Sequence, residues 1–345
     1  MEIMKTGVTY YGSRRVEHVI KDLKEIKKNH CNAVLHCLTE EDVSFNLESM
    51  KKIVAVSHDM GFQVYNNAWA YCGVFGGVGY SGFTIHNLDA CQVDNHGNIL
   101  PAACLNHPKF RAYMKKWVDA VVYIGGDIAF WDEPHFYIPS VDCWWFQDKS
   151  LLNSKTSLSC CCDRCQELFE SKFNHKMPQE ETKETIKFRH YSMIDFFEEL
   201  TSYAKKSGLK NNVCVIPQHI SNQDSTGTGN GKDIAAIKDV DEISTDPYWR
   251  SEASVEDVEK SYRNASRLLY TIAKEYKKEA QIWIPHAFIR KGKEDRVRYA
   301  YRATYEEGIR NIFTWSYKTP NNSACDDPDL VWKILGEEYK KMHKK

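Results

Sequence analysis

The sequence predicts a (β/α)8 TIM barrel, an α/β fold in which eight parallel strands are each followed by a helix. Short runs rich in β-branched and aromatic residues alternate with longer amphipathic segments along the whole chain. The 345 residues exceed the roughly 250 of a simple barrel, which leaves room for insertions. A doubly wound open sheet is the rival fold, but residues 11–14 after the first strand lack its glycine-rich phosphate-binding pattern. We therefore expect residues 1–345 to form a single barrel.

The predicted elements alternate strictly along the chain. Strands are expected over 7–10, 33–37, 62–68, 127–131, 213–217, 242–245, 281–285 and 311–315. Helices are expected over 15–28, 47–60, 108–124, 163–173, 180–206, 231–237, 255–277, 294–307 and 329–342. Two long insertions follow strands three and four, over 69–107 and 133–162. Because loops that follow barrel strands build the active face, these insertions should shape the functional site.

Charge and hydropathy exclude several classes of protein. Lys and Arg number 46 and Asp and Glu number 47, so the formal net charge is −1 and no basic surface for nucleic acid is expected. No apolar run approaches the roughly 18 residues of a membrane span. The first residues also lack the apolar stretch of a signal peptide, which predicts a cytoplasmic protein. In that compartment thiols stay reduced, and clustered cysteines are more often metal ligands than disulfides.

A cysteine cluster over 160–165 predicts a structural zinc site. The sulfurs of Cys160, Cys162 and Cys165 can point at one centre, because a turn brings these positions together. A closed tetrahedral zinc site needs a fourth ligand, and both Cys104 and Cys143 are candidates. The alternative interpretation is a set of buried thiols that serve as small apolar side chains.

Three motifs between residues 100 and 175 carry a family resemblance. They are Cys104-x-Asn106-x-Pro108-x-Phe110-Arg111, Trp131-Asp132-Glu133-Pro134 and Cys160-x-Cys162-x2-Cys165-x3-Phe169. This stretch resembles the catalytic barrel of glycoside hydrolase family 42 β-galactosidases and related uncharacterised families. The resemblance implies that Glu133 is the acid/base residue and that Cys104, rather than Cys143, completes the zinc site. It also implies that zinc ties an insertion at about 132–178 to the loop after strand three, and it is compatible with a homo-oligomer.

The chain departs from that family at two positions. Asp132 stands where the family has Asn before the acid/base residue. In the seventh strand, residues 282–288 contain no carboxylate, whereas the family has its nucleophilic glutamate there. Neither the family's retaining mechanism nor its β-galactosidase specificity therefore follows from the resemblance.

Carboxylates at the predicted strand ends indicate glycosidase chemistry, which uses two carboxyl groups that flank the scissile bond. Three are available at the barrel mouth, namely Asp132, Glu133 and Asp246. We expect Glu133 to be the general acid and Asp246 the nucleophile or base, with Asp132 raising the pKa of the acid or orienting substrate. In the alternative assignment Asp132 is the nucleophile and Asp246 the acid/base.

An excess of aromatic residues at strand ends supports a carbohydrate substrate, because flat rings stack on the C–H face of a sugar. The predicted substrate-binding residues are Tyr10, Asn66, Trp69, Trp131, His219, Tyr248, Trp249, His286 and Trp315. No organic cofactor is expected.

Two other functions fit the sequence less well. A metal-dependent barrel enzyme would use ligands from the set His36, His219, His286, Asp246 and Glu133. None of these histidines occurs in a helical His-x-x-x-His or a His-x-His spacing. A catalytically inactive carbohydrate-binding barrel is the second alternative, and the missing carboxylate in strand seven motivates it.

Overall fold

Eight parallel strands close into a barrel in the computed structural model, which describes residues 4–77, 79–137, 158–217, 226–229, 231–318 and 325–344. The barrel strands are β1 (Lys5–Tyr10), β2 (Ala33–Cys37), β3 (Gln63–Asn67), β6 (Ile128–Trp131), β7 (Lys210–Val215), β8 (Glu242–Thr245), β9 (Glu279–Pro285) and β10 (Asn311–Trp315). Each pairs in parallel with its neighbours, and β10 closes the ring against β1. The predicted (β/α)8 barrel is confirmed.

Helices surround the barrel and follow its strands. They are α1 (Val16–Lys28), α2 (Leu47–Asp59), α3 (Gly82–His86), α4 (Pro108–Ile124), α5 (Asp163–Phe173), α6 (Lys183–Lys206), α7 (Lys232–Ala236), α8 (Val255–Tyr276), α9 (Arg296–Glu306) and α10 (Pro328–His343). The local sequence explains where several of these helices begin or end. Pro108 occupies the first turn of α4, and Gly125 ends that helix in the left-handed region at φ 87°. Ser254 opens α8 with a reciprocal capping box to Asp257.

The insertion after β3 contains structure that the sequence did not predict. A short antiparallel hairpin joins β4 (Cys91–Val93) to β5 (Ile99–Ala103). Its turn is held by the Asp94 carboxylate, which accepts the backbone N–H groups of His96 and Asn98. Gly97 takes φ 83° there, a conformation in which a side chain would be strained. At three and five residues, these strands are too short for a periodic hydrophobic pattern to reveal.

Side chains alternate between the inside of the barrel and the helices outside, because successive residues of a strand point to opposite faces. The inward-facing positions form one apolar cluster, which consists of Ala33, Leu35, Cys37, Tyr65, Ile128, Phe130, Cys214, Trp283 and Phe313. The outward-facing positions belong to a larger core beneath the helices. A residue within a strand can therefore reach the barrel mouth only if it belongs to the inward series, whereas a residue of the following loop is not bound by this alternation.

The amino end of the barrel is closed by a buried polar cluster. The Glu242 carboxylate at the start of β8 lies 2.8 Å from Lys5 Nζ of β1. It also accepts hydrogen bonds from the hydroxyl of Tyr65 and the amide of Asn212. The carboxyl ends of the strands, where barrel active sites lie, form the opposite side. In the described part of the chain, none of the helices is long and apolar enough to cross a bilayer.

Candidate active site at the carboxyl ends of the strands

The structure brings the three predicted carboxyl groups together. Asp132 follows β6 directly and continues the inward series of Ile128 and Phe130, while Asp246 follows β8. Both are buried, at 8% and 6% exposure. Asn67, the last residue of β3, donates a 2.8 Å hydrogen bond to Asp132 Oδ2. Asp246 shares a hydrogen bond with the side chain of Glu133. Three carboxyl groups from two loops thus occupy one small region.

Burial and mutual repulsion hold protons on this group. Desolvation raises the pKa of Asp246 well above its usual range, and the charges of Glu133 and Asp132 raise it further. Desolvation likewise raises the pKa of Asp132, with Glu133 as the second cause. The Asn67 hydrogen bond opposes this increase because it stabilises the ionised form of Asp132. The environments of the two aspartates therefore differ, since Asp132 has an amide donor and Asp246 shares a proton with a second carboxyl group.

A glycine in the insertion after β3 lies against Glu133. The Gly76 N–H donates a 2.8 Å hydrogen bond to the Asp132 carbonyl. A Cβ atom at Gly76 would lie 2.6 Å from Glu133 Oε2 and 3.0 Å from Glu133 Cβ, which is closer than real contacts allow. Glu133 itself has φ 37°, which is unusual for a residue with a side chain. The glycine-rich segment therefore fixes the position of Glu133.

Aromatic rings surround the carboxyl groups. Tyr11, which continues the inward series of β1, lies edge-on between Trp69 and Trp315, with ring centroids 5.2 and 5.0 Å away. Tyr248 packs against the same inward-facing cluster. Burial raises the pKa of its hydroxyl well above the usual value, and the charges of Asp246, Asp132 and Glu133 add to that increase. The predicted residues Trp69, Tyr248 and Trp315 thus lie in the same region as the carboxyl groups.

Several buried polar atoms in this region have no hydrogen-bond partner among the described residues. Asn67 Oδ1, Asp246 Oδ1 and Trp283 Nε1 are each enclosed and unpaired. The Tyr11 hydroxyl lies beside the Cys37 thiol and has no oxygen or nitrogen partner. An unsatisfied buried polar group costs about 1–3 kcal/mol, so native structures contain few of them. These four residues all occupy inward-facing positions, where a polar ligand could satisfy their unpaired atoms.

Two of the predicted substrate-binding residues face outward at the first and third strands. The Tyr10 hydroxyl donates a 2.6 Å hydrogen bond to Asp22 of α1. The side chain of Asn66 lies against the backbone of Gly126, on the outer side of the barrel. Each is one residue out of phase with the inward series, so the structure does not bring Tyr10 or Asn66 to the carboxyl groups.

Three more of them pack beneath the helices. Trp131 is fully buried among aromatic rings and donates its indole N–H to Asn211 at 3.0 Å. His286 stacks on a tryptophan of α10, and its Nε2 lies 2.8 Å from the Pro328 carbonyl oxygen. Trp249 packs edge-on against Tyr262 of α8. These contacts belong to the outer core, and the structure does not place these three side chains in the carboxylate region. His219 lies outside the described residues.

The histidines proposed for a catalytic metal do not converge with the carboxylates. His36 faces outward, with Nε2 2.9 Å from Ser57 Oγ of α2, and His286 faces α10. Burial lowers the pKa of His36 to about 3 and that of His286 to about 4, so both rings are neutral near pH 7. Within the ranges that the structure describes, neither ring can share a metal with Asp246 or Glu133.

Asn67, Tyr11 and Trp283 are inward-facing polar residues that the predicted site did not include. The alternation of the strands identifies all three, because Asn67 lies two residues after Tyr65 and Tyr11 lies four residues after Gly7. Counting by two from the inward-facing residues Tyr65 and Gly7 gives Asn67 rather than Asn66 and Tyr11 rather than Tyr10.

The four cysteines assigned to a metal form a compact buried cluster. The sulfurs of Cys104, Cys160, Cys162 and Cys165 all lie within 4.8 Å of one another. Cys104 Sγ is 3.5 Å from Cys165 Sγ and 3.6 Å from Cys162 Sγ. Tetrahedral zinc with bonds of about 2.3 Å separates its sulfurs by about 3.8 Å, so this arrangement can hold a metal ion. Cys143, the other candidate for the fourth ligand, lies outside the described residues.

The cysteine cluster joins the two insertions. Cys104 follows β5 of the hairpin, while the other three cysteines lie just before and within α5. Backbone hydrogen bonds run beside it, from Cys161 N–H to Val93 O and from Asn95 N–H to Leu158 O. Asn106 donates its amide to both Cys165 Sγ and Ser192 Oγ of α6. A metal here would tie the hairpin to the segment after β6, which carries Asp132 and Glu133.

Comparison with known proteins identifies the fold and no family. No family model matches the sequence, and no curated protein matches it. Among solved structures, the GH5_18 protein from Streptomyces cattleya, solved in complex with GlcNAc, is 9% identical with a TM-score of 0.63, covering 100% of this chain and 81% of that one. The endo-β-1,4-mannanase from Thermotoga petrophila is 12% identical with a TM-score of 0.59, covering 99% and 77%.

A D-allulose 3-epimerase from Methylomonas sp. is 11% identical with a TM-score of 0.51, and 99% of each chain is covered. At such low identities these three likenesses show the barrel fold alone. None of these comparisons shows membership of glycoside hydrolase family 42. The resemblance to that family is limited to the three motifs between residues 100 and 175.

Proposed function

We propose that this protein is a glycoside hydrolase whose site lies at the carboxyl ends of the barrel strands. The observation that carries the proposal is the group of Asp132, Glu133 and Asp246, in which two carboxyl groups are buried with a raised pKa. Hydrolysis of a glycosidic bond needs one protonated and one ionised carboxyl group near the scissile bond. A cluster whose carboxyl groups keep their protons to a higher pH than usual meets the first of these needs.

The different surroundings of the aspartates suggest how the roles are divided. The Asp246–Glu133 pair shares a hydrogen bond, which requires one proton between them, and this proton would go to the leaving-group oxygen. Burial raises the pKa of Asp132 as well, but the hydrogen bond from Asn67 opposes this rise, whereas the hydrogen bond with Glu133 raises the pKa of Asp246 further. Asp132 would then act as the nucleophile or as the base that activates water. Of the two assignments that the sequence leaves open, this geometry favours Asp132 as nucleophile or base.

The aromatic residues supply a surface for the sugar ring. Trp69, Tyr248 and Trp315 would contact the substrate, with Tyr11 between the two tryptophans. The unpaired polar atoms of Asn67 and Trp283 would bond to sugar hydroxyl groups. A ligand with both an apolar face and many hydroxyl groups fits this combination, and a carbohydrate has both. The names of two proteins with a similar fold, the mannanase and the GH5_18 protein in complex with GlcNAc, also refer to carbohydrates.

Kinetic measurements on two substrates test the proposed roles of the three carboxyl groups. We expect Asp246→Asn and Glu133→Gln to slow hydrolysis of an aryl glycoside with a poor leaving group by about 10²–10⁴-fold. The same variants should retain activity on a dinitrophenyl glycoside, whose leaving group needs no proton. Asp132→Asn should be inactive on both substrates, because it removes the nucleophile or base. Equal losses on both substrates in all three variants would contradict this division of roles.

We further propose that the cysteine cluster binds structural zinc. Four buried sulfurs with near-tetrahedral spacing fit Zn²⁺ better than the oxygen-preferring Mg²⁺ or Ca²⁺. Zinc held there would supply folding stability and no chemistry, because four protein ligands leave no open coordination position. Elemental analysis of the purified protein should give one zinc per chain. A metal-free protein with unchanged melting temperature would exclude the site.

A further inference from the structure

Gly77, in the insertion after β3, lies directly against the indole ring of Trp69. A Cβ atom at Gly77 would lie 2.2 Å from Trp69 Nε1 and 2.4 Å from Trp69 Cε2, which is far closer than real contacts allow. A Cβ atom at Gly79 would lie 3.4 Å from Trp69 Cζ3, near the opposite end of the ring. Trp69 is half-buried and packs against the inward-facing cluster of the barrel. Glycine at position 77 is therefore what leaves room for the ring in this place.

Two backbone hydrogen bonds connect Trp69 to the loop that carries the carboxyl groups. The N–H of Ala70, the residue after Trp69, donates to the Gly76 carbonyl oxygen at 2.8 Å. The Gly76 N–H donates in turn to the carbonyl oxygen of Asp132 at 2.8 Å. The side chain of Glu133, the next residue, lies against Gly76. One short loop thus holds both the aromatic ring and the proposed acid, and it fixes how they lie relative to each other.

The loop between Ala70 and Gly76 is anchored in the core. Four of its five residues are buried there, namely Tyr71, Cys72, Val74 and Phe75. The Cys72 N–H also donates to the buried carboxylate of Glu40 at 3.1 Å. By contrast, Nε1 and Cε2 of Trp69 belong to a side chain that can rotate about its χ angles. A methyl group at position 77 would therefore displace the Trp69 ring rather than the loop.

We propose that Gly77 is a positioning residue that sets the affinity of the site for sugar through the Trp69 ring. This role rests on the proposed carbohydrate site, in which that ring contacts the substrate. The neighbouring Gly76 contacts Glu133 instead, so the two adjacent glycines act on different steps. Gly76 acts on proton transfer and therefore on kcat. Gly77 acts on binding, and a loss of binding that is equal in the ground state and the transition state raises KM without lowering kcat.

Binding and kinetics of Gly77→Ala and Gly97→Ala in the full-length protein test this role. Gly97 is the matched control, because it lies in the same insertion and its φ of 83° is positive like the 107° of Gly77. A Cβ atom at Gly97 would meet none of the described atoms within 4 Å. Both substitutions therefore strain the backbone, but only Gly77→Ala collides with the ring.

The probes are aryl α- and β-glycosides, with Kd measured by calorimetry and KM and kcat measured for every member that is hydrolysed. We expect Gly77→Ala to raise Kd and KM at least about tenfold, with kcat within about threefold of wild type. Gly97→Ala should keep all three values within about twofold of wild type. In a Trp69→Ala background, which itself binds at least about tenfold more weakly, adding Gly77→Ala should weaken binding no further. If Gly77→Ala alone does not fold, this double variant should fold, because the ring that collides is gone.

The outcomes separate the role of Gly77 from the proposed glycosidase activity. Binding without turnover would contradict the glycosidase, whereas a weaker Kd in Gly77→Ala would still support the role of Gly77. Hydrolysis by wild type with unchanged Kd and KM in Gly77→Ala would overturn this role alone. An equal loss of binding in Gly97→Ala would assign the effect to backbone strain and overturn it too. So would a further loss in the double variant, a double variant that does not fold, or a wild type that binds no member of the panel.

Discussion

Asp132 and Asp246 illustrate how single residues carry the proposed chemistry. Both lie one residue past the hydrogen-bonded part of an inward-facing strand series, where the barrel interior meets the loops. Their burial would be costly for two ionised groups, and each has its pKa raised as a result. Burying these carboxyl groups therefore lowers the stability of the fold but leaves them a proton to donate. Groups with such shifted pKa values are common at active sites.

This cost predicts a specific pH dependence of stability. A carboxyl group whose pKa is higher in the folded protein than in the unfolded chain stabilises the fold at low pH and loses that contribution as the pH rises through the folded pKa. The unfolded value is about 4. From about pH 4 upward, the free energy of unfolding of wild type should therefore fall relative to that of an Asp132→Asn/Asp246→Asn double variant. Urea unfolding at a series of pH values measures the difference, and a difference independent of pH would contradict the expectation.

Gly76 provides a second test at the residue scale. A methyl group there would collide with the side chain of Glu133, so Gly76→Ala should lower kcat at least tenfold by displacing that carboxyl group. Gly82→Ala is the matched control in the same insertion, because its new Cβ would lie 3.8 Å from Glu40 in ordinary contact. We expect Gly82→Ala to retain activity within about twofold. Equal activity in the two variants would show that Glu133 is not positioned by this contact.

At the scale of elements, the sequence predicted the eight barrel strands closely. Strands β2, β8 and β10 begin and end as predicted, over 33–37, 242–245 and 311–315. Their signal is a short run of β-branched and aromatic residues between longer amphipathic segments. The hairpin β4–β5 has no such sequence signal, because its short strands are partly exposed and its turn depends on the side chain of Asp94.

The candidate site residues differ in how clearly the sequence indicates them. Carboxylates at strand ends are few, so Asp132, Glu133 and Asp246 could be proposed from their chemistry alone, and the structure brings them together. Aromatic residues are many, and choosing among them required the phase of each strand, which separates Trp315 at the mouth from Trp131 beneath the helices. The position of Gly76 against Glu133 could not be predicted, because it depends on how an irregular loop folds over the barrel.

The cysteine cluster yields a prediction for the two insertions. Cys162→Ser should abolish metal binding and lower the melting temperature, since the metal would no longer tie the hairpin to the segment after β6. Cys161→Ser is a closely matched control, because Cys161 is adjacent and lies outside the cluster. It should keep one zinc per chain and an unchanged melting temperature. Identical melting and metal content in the two variants would refute the proposed ligand set.

For the whole molecule, the buried ion pair of Glu242 and the proposed active site lie at opposite ends of the barrel. The buried cluster around Glu242 and Lys5 closes the amino end, and the carboxylate region occupies the other. Lys5→Met would leave Glu242 buried without its cation, so the free energy of unfolding should fall by about 3 kcal/mol. Lys109→Met breaks an exposed pair with Asp89 and should leave the free energy of unfolding nearly unchanged. Chemical unfolding gives both values, and kcat/KM of the folded Lys5→Met protein should equal that of wild type.

Hydrolysis of a panel of aryl α- and β-glycosides by the purified protein tests the proposed glycosidase activity most directly. We predict that wild type releases the aryl group from at least one member and that folded Asp132→Asn is at least about 10³-fold slower on it. Folded Asp246→Asn should be about 10²–10⁴-fold slower on members with a poor leaving group. Proton NMR of the first-formed sugar would then give the stereochemical course. Sugar binding without turnover of any member would contradict a glycosidase and assign the barrel to carbohydrate binding alone.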